Sequence, residues 1–266
     1  MARRSFIRGS AILLLIVSVF RSVSAMEVLE ITPRAGVVLR VLVELPPDAT
    51  AIAMLFPGGN GTVRIGRDGT IRGTKRNFLS RSRNRFNARG VGTALVDAPS
   101  DRQDGEGMTY AYRMSAQHAA EIGLVIAQLR SRYPGRTVWL VGTSRGTLSA
   151  VNAATALPAP GPDGLVLTAA ISAAGKQGGS VLDFPLGRIV APVLLVHHAE
   201  DSCAVSPPAG ANRIQRQLTR APVAETIMLN GGDSGHGRAC DATTHHGFLG
   251  IEEKTVDAIT AWIGRH

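Results

Sequence analysis

The chain has 266 residues, 44% of them hydrophobic, and a formal net charge of +9. That length suffices for one large domain with a well-buried core. Four of its 29 basic residues (Arg3, Arg4, Arg8 and Arg21) fall in the first 25 positions, so the remainder carries 25 basic against 20 acidic residues, an excess of +5 too modest for a nucleic-acid signature.

In chain order, Arg3, Arg4 and Arg8 precede an apolar run over 11–20, and Val23-Ser24-Ala25 supplies small residues for a cleavage site. This pattern predicts a secretory signal peptide over 1–25, cleaved after Ala25, with residues 26–266 exported as a single domain to the periplasm or beyond. The run is well short of the ~20 residues that span a bilayer, so no stable membrane insertion is expected after cleavage.

Eight β-rich runs follow, over 26–32, 36–46, 50–59, 90–99, 136–142, 164–175, 191–201 and 224–232. Helical patterns separate them near 74–89, 112–132 and 145–157, then near 207–219, with a last one near 251–264. The first two runs are close enough to pair antiparallel. Strands alternating with helices elsewhere predict an α/β fold, a mostly parallel sheet covered on both faces. Basic residues concentrate over 72–89, interleaved with Phe78, Leu79 and Phe86. That spacing reads as an amphipathic helix packed on the sheet rather than a nucleic-acid patch. The Pro- and Gly-rich stretches at 157–164 and 175–179 are short loops inside one domain.

Chemistry concentrates first at "LVGTSRGTLSA", residues 140–150. Gly142-Thr143-Ser144-Arg145-Gly146 matches G-x-S-x-G between a strand and a helix, the context in which such a serine sits exposed on a sharp turn. Side chains at Gly142 or Gly146 are expected to collide across that turn. An N-cap role for Ser144 is the structural alternative. A serine nucleophile needs a base, and the base an orienting carboxylate. Asp201 follows the next-to-last strand, with Glu200 and Asp183 as alternatives, and the loop after the last strand holds His236, His245 and His246.

With the order Ser, Asp, His along the chain, the sequence resembles the α/β-hydrolase superfamily, nearest to its dienelactone-hydrolase-like and esterase-like members. The resemblance covers nearly the whole chain beyond residue 25. It implies an α/β-hydrolase fold with little or no lid, because only about fifteen residues separate the runs that end at 175 and begin at 191. The ending "HHGFLGIEEKTVDAITAWI" resembles that of the superfamily, where the catalytic histidine precedes a small residue and an aromatic. This points to His246, with His236 as runner-up, and favours Asp201 as the acid.

An oxyanion hole needs two converging N–H groups. One is expected from Arg145, the other from the loop "LFPGGNG", with Gly59 as donor and Asn60 as fallback; Pro57 stands where the superfamily's loop carries histidine. Asp97 and Asp101 also follow a strand end and are read as loop caps with access to substrate. His197 and His198 are read as core or loop groups.

Two cysteines in an exported chain predict a Cys203–Cys240 disulfide joining the acid loop to the histidine loop. That pairing, and histidine spacings foreign to zinc sites, leave no metal and no cofactor expected. The expected activity is hydrolysis of a small-molecule carboxylic ester through Ser144, His246 and Asp201, in a cleft formed by loops 60–73 and 99–111. A peptidase or lactonase uses the same groups. A non-catalytic binding module using the arginine-rich helix is the alternative from another class.

Overall fold

The computed structural model describes residues 25–175 and 178–266, so the expected signal peptide, Ala25 apart, lies outside the described residues. Strands β1 (Ala25–Arg34), β2 (Val37–Leu45), β3 (Ala51–Phe56), β4 (Val91–Val96), β5 (Thr137–Thr143), β6 (Gly164–Thr168), β7 (Val193–His198) and β8 (Ala224–Leu229) form one open sheet. Their order is β1-β2-β4-β3-β5-β6-β7-β8. β1 pairs antiparallel with β2, and β2 with β4; every other pairing is parallel.

Helices α1 (Phe78–Asn87), α2 (Tyr110–Arg113), α3 (Ala116–Arg132), α4 (Gly146–Ala156), α5 (Gly210–Gln217) and α6 (Glu252–Ile263) cover the sheet. Strand periodicity divides the core between two faces. On β3, Ile52, Met54 and Phe56 pack toward α3, α4 and α5, whereas Ala53 and Leu55 pack toward α1 and α6. Val138 and Leu140 of β5 likewise oppose Trp139 and Val141. Trp139 meets Trp262 of α6 edge-on at 5.5 Å between ring centres.

Two expected boundaries shift. The run over 164–175 is strand only to Thr168, because Ala169 turns the chain at φ +44° and the Ala170 N–H donates to His197 Nε2 instead of a ladder carbonyl. The helix expected over 112–132 is two helices, since the Ser115 side chain accepts the His118 N–H and caps a fresh start.

Phe78, Leu79 and Phe86 of α1 face the sheet. The arginines between them turn to acids of α6 and β2: Arg81 to Glu252 at 2.8 Å, Arg85 to Glu253 at 2.6 Å and Arg83 to Glu44 at 2.8 Å. Residues 169–192 pack Val181, Leu186 and Ile189 into the core. No helix among the described residues is long and apolar enough to cross a membrane.

Candidate active site

Strand β5 delivers Ser144 to the carboxyl edge of the sheet at φ +52°, a left-handed backbone that a non-glycine residue adopts only under local constraint. Three contacts supply that constraint. The Ser144 N–H donates to the Thr168 carbonyl at 3.0 Å, and the Ser144 carbonyl accepts from the Thr147 N–H at 3.0 Å and the Thr147 hydroxyl at 2.6 Å. A Cβ on Gly142 would stand 2.7 Å from the Gly146 carbonyl oxygen, as the sharp turn demands. Gly146 differs from expectation: a Cβ there would strike the Phe56 carbonyl at the end of β3, so its smallness serves the packing of α4 on the neighbouring strand.

Asp201 lies in the loop after β7, buried, its N–H donating to the His198 carbonyl at 3.1 Å. Oδ1 accepts the Cys203 N–H at 2.9 Å; Oδ2 accepts the Ser206 hydroxyl at 3.1 Å and lies 2.9 Å from His246 Nδ1. His246 sits in a single 3-10 turn, His245–Gly247, just ahead of α6, and Thr244 Oγ1 accepts its N–H at 3.2 Å. Its Nε2 is 2.9 Å from Ser144 Oγ. With Asp201 accepting from Nδ1, Nε2 is left to accept the serine proton.

Gly59 and Arg145 both line the larger of the two clefts beside Ser144, and neither backbone N–H donates to a backbone carbonyl among the described residues. The Asn60 side chain caps the same loop, its Oδ1 accepting the Thr62 hydroxyl at 3.0 Å. Ser206, fully buried, carried no signal in the sequence beyond a hydroxyl five residues after Asp201, yet its Oγ is also 3.0 Å from His246 Nδ1.

The other candidates lie elsewhere. His236 is exposed. His245 stacks on His198 at 4.2 Å between ring centres, with Glu200 3.5 Å from its Nδ1. Asp183 accepts the Ser180 N–H at 2.8 Å in a local cap. Asp101 pairs with Arg34 at 3.1 Å. Buried Asp97 accepts the N–H groups of Val63, Arg64 and Ile65, clamping the loop after β3.

Cys203 and Cys240 are bonded, spanning 37 residues. Asp201, Cys203 and His246 hold potential metal-ligand atoms within 4.8 Å of one another. That donor set does not suit a metal, because the thiol is in a disulfide and the other two atoms bond each other.

Ser144 stands between two clefts, of about 270 Å³ and about 650 Å³. Thr74, Arg76 and Phe78 line the smaller; Tyr110, Arg145 and Val205 line the larger; Cys240 and Asp241 line both as a dividing ridge. The walls therefore come from 74–78 and 238–242, with Ile171, Gly175 and 202–205 on the larger cleft, and of the loops expected to form them only Tyr110 contributes. The Asp97 clamp and an Ile65–Ile71 bridge fold residues 62–73 back on themselves, and Arg67 reaches Glu30 of β1.

No protein-family model and no curated protein matches the sequence. Solved structures do. A dienelactone hydrolase from Anabaena variabilis is similar at TM-score 0.66 and 14% identity, over 91% of this chain and 98% of that one. An esterase from Pyrococcus furiosus is similar at TM-score 0.61 and 14% identity, over 91% and 93%. A serine hydrolase without a lid from Xanthomonas campestris is similar at TM-score 0.56 and 17% identity, over 90% and 96%. At such identities the likeness speaks for the fold, and with the eight-stranded order above it establishes that this chain has the α/β-hydrolase fold.

Proposed function

We propose that the protein is a serine hydrolase acting on small carboxylic esters, with Ser144 as nucleophile, His246 as general base and Asp201 as the carboxylate that orients it. The observation that carries this reading is the relay from buried Asp201 through His246 to Ser144, with 2.9 Å at each step, ending on a serine in a left-handed turn between two clefts. Esterases and a dienelactone hydrolase among the structural neighbours support it.

In this mechanism His246 Nε2 takes the proton as Ser144 Oγ attacks the ester carbonyl, and Asp201 stabilises the imidazolium. The Arg145 and Gly59 N–H groups receive the developing oxyanion. The tetrahedral intermediate collapses as His246 gives its proton to the departing alcohol. Water, activated by the same histidine, then releases the acid. Each step uses side chains and backbone of this chain alone. The segment 1–25 would be removed on export, into a compartment where the Cys203–Cys240 bond persists; the mature protein should begin at Met26, read from its intact mass.

Incubation with p-nitrophenyl acetate and a fluorophosphonate probe tests the reading. The wild type should turn over the ester and carry the label, and Ser144→Ala should do neither. A folded wild type that fails both assays would sink the proposal, and label surviving in Ser144→Ala would move the nucleophile elsewhere. A lactone in the same panel separates lactonase from esterase activity, and a peptide substrate separates peptidase activity.

A further inference from the structure

Arg113, the last residue of α2, is 1% exposed, and among the described residues no carboxylate lies within 4.0 Å of its guanidinium. A cation buried without a contacting acid is costly to the fold, so its remaining contacts bear on why it is there. Nη2 donates to the Pro57 carbonyl at 3.0 Å, Nη1 to the Ser149 hydroxyl at 2.8 Å, and Nε toward the Met108 carbonyl at 3.4 Å. Pro57 immediately precedes Gly58 and Gly59. Ser149 lies on α4, the helix that Ser144 leads into. A Cβ on Gly61 would collide with Nη2, so the loop after β3 is shaped to admit the guanidinium.

We propose that Arg113 is a positioning residue for the Ser144 reaction: its planar fork ties the Pro57–Gly59 loop to the nucleophile helix, and its unneutralised charge favours the oxyanion. This rests on the serine-hydrolase reading above. The two expected oxyanion donors, Gly59 and Arg145, lie on separate chain segments, and Arg113 bridges one segment to the other through rigid, directional bonds. A lysine has a single head and cannot reproduce that fork.

On the side of α3 the charge meets uncharged groups first. Behind Arg113, Ser149 Oγ lies 2.9 Å from His118 Nε2, and His118 Nδ1 is 3.7 Å from Glu121 Oε2. Burial holds His118 below the ordinary histidine range, which favours its neutral form. Glu121 is itself bonded to Arg34 and Tyr112. The nearest acid on this path thus reaches Arg113 only through two neutral side chains, and in a low-dielectric interior the positive charge is weakly screened. Burial, with the Arg145 charge, pushes the guanidinium down to about 9.

The test uses the full mature chain, p-nitrophenyl acetate for kcat and KM, and a phenyl trifluoromethyl ketone, whose serine adduct carries the oxyanion charge. Arg113→Met should lower kcat about 100-fold with KM changed less than about threefold, and ketone affinity should fall in step. Arg113→Lys should recover part of that loss, and Ser149→Ala, which keeps the cation and cuts the tie to α4, should lower kcat by about tenfold. Thermal melts report folding, and if Arg113→Met does not fold, the other two variants carry the test. Arg113→Lys with wild-type kcat and wild-type ketone affinity overturns the proposal, as does a loss confined to KM. A wild type that neither turns over ester nor takes the fluorophosphonate label overturns the Ser144 reading, and this one with it.

Discussion

His197 sits beneath the site, fully buried near the end of β7, its Nε2 accepting the Ala170 N–H at 3.1 Å and its Nδ1 without a partner among the described residues. Burial, opposed by the nearby Asp201 charge and reinforced by His246, pushes its pKa down to about 4. Because the folded value lies below the unfolded one, near 6.5, the unfolded chain binds the extra proton between them. Stability from this group is therefore complete above about pH 6.5 and is lost as pH falls toward 4, by up to roughly 3 kcal/mol. Urea midpoints across that interval should fall less steeply in His197→Gln than in the wild type. At Ser206 a smaller effect is expected: Ser206→Ala removes one hydrogen bond from Asp201 and should lower kcat about tenfold with little change in KM, against several thousandfold for Asp201→Asn. Ser144 and Asp201 stand out in the sequence because each closely follows a recognisable strand, and parallel strands bring those ends to one edge, whereas His246 is separated from His236 and His245 only by the resemblance of the chain's ending to that of the superfamily. Ser206 and Arg113 do not, since the contacts that tie them to the site, Ser206 to His246 and Arg113 to Pro57, span 40 and 56 residues and neither sits in a pattern.

At the scale of elements, alternation of apolar runs with helical patterns located all eight strands to within a few residues, save where a long-range contact decided the boundary. β6 stops because His197 of the adjacent strand takes the Ala170 N–H, which local sequence does not report. The cleft walls were misplaced for the same reason, because Asp97 draws residues 63–65 away from Ser144. The junction of β5 and α4 leaves no room for a side chain. Gly146→Ala drives a methyl group into the Phe56 carbonyl, backbone that cannot rotate aside. It should destabilise the fold by at least about 2 kcal/mol in urea unfolding, and activity should fall even where the variant remains folded, because α4 and Ser144 shift together.

For the whole molecule, the strand order was beyond the sequence, which carries no mark that β4 lies between β2 and β3. The loops that follow β7 and β8 are held together partly by the Cys203–Cys240 bond across 37 residues, which the chain-entropy account values at about 4 kcal/mol. Reduction should lower the melting temperature by several degrees. It should also cost activity, because the bond anchors the ridge between the clefts and the loop that holds Asp201. The left-handed Ser144 places a different demand on global stability. Ser144→Gly should unfold at a higher urea concentration than Ser144→Ala, by about 1 kcal/mol, since only glycine adopts φ +52° without steric cost. A turn selected for durability alone would carry glycine at this position. If Ser144 is the nucleophile proposed above, the serine is a standing concession of robustness to reactivity, and stability screens run without an activity assay should repeatedly discard it.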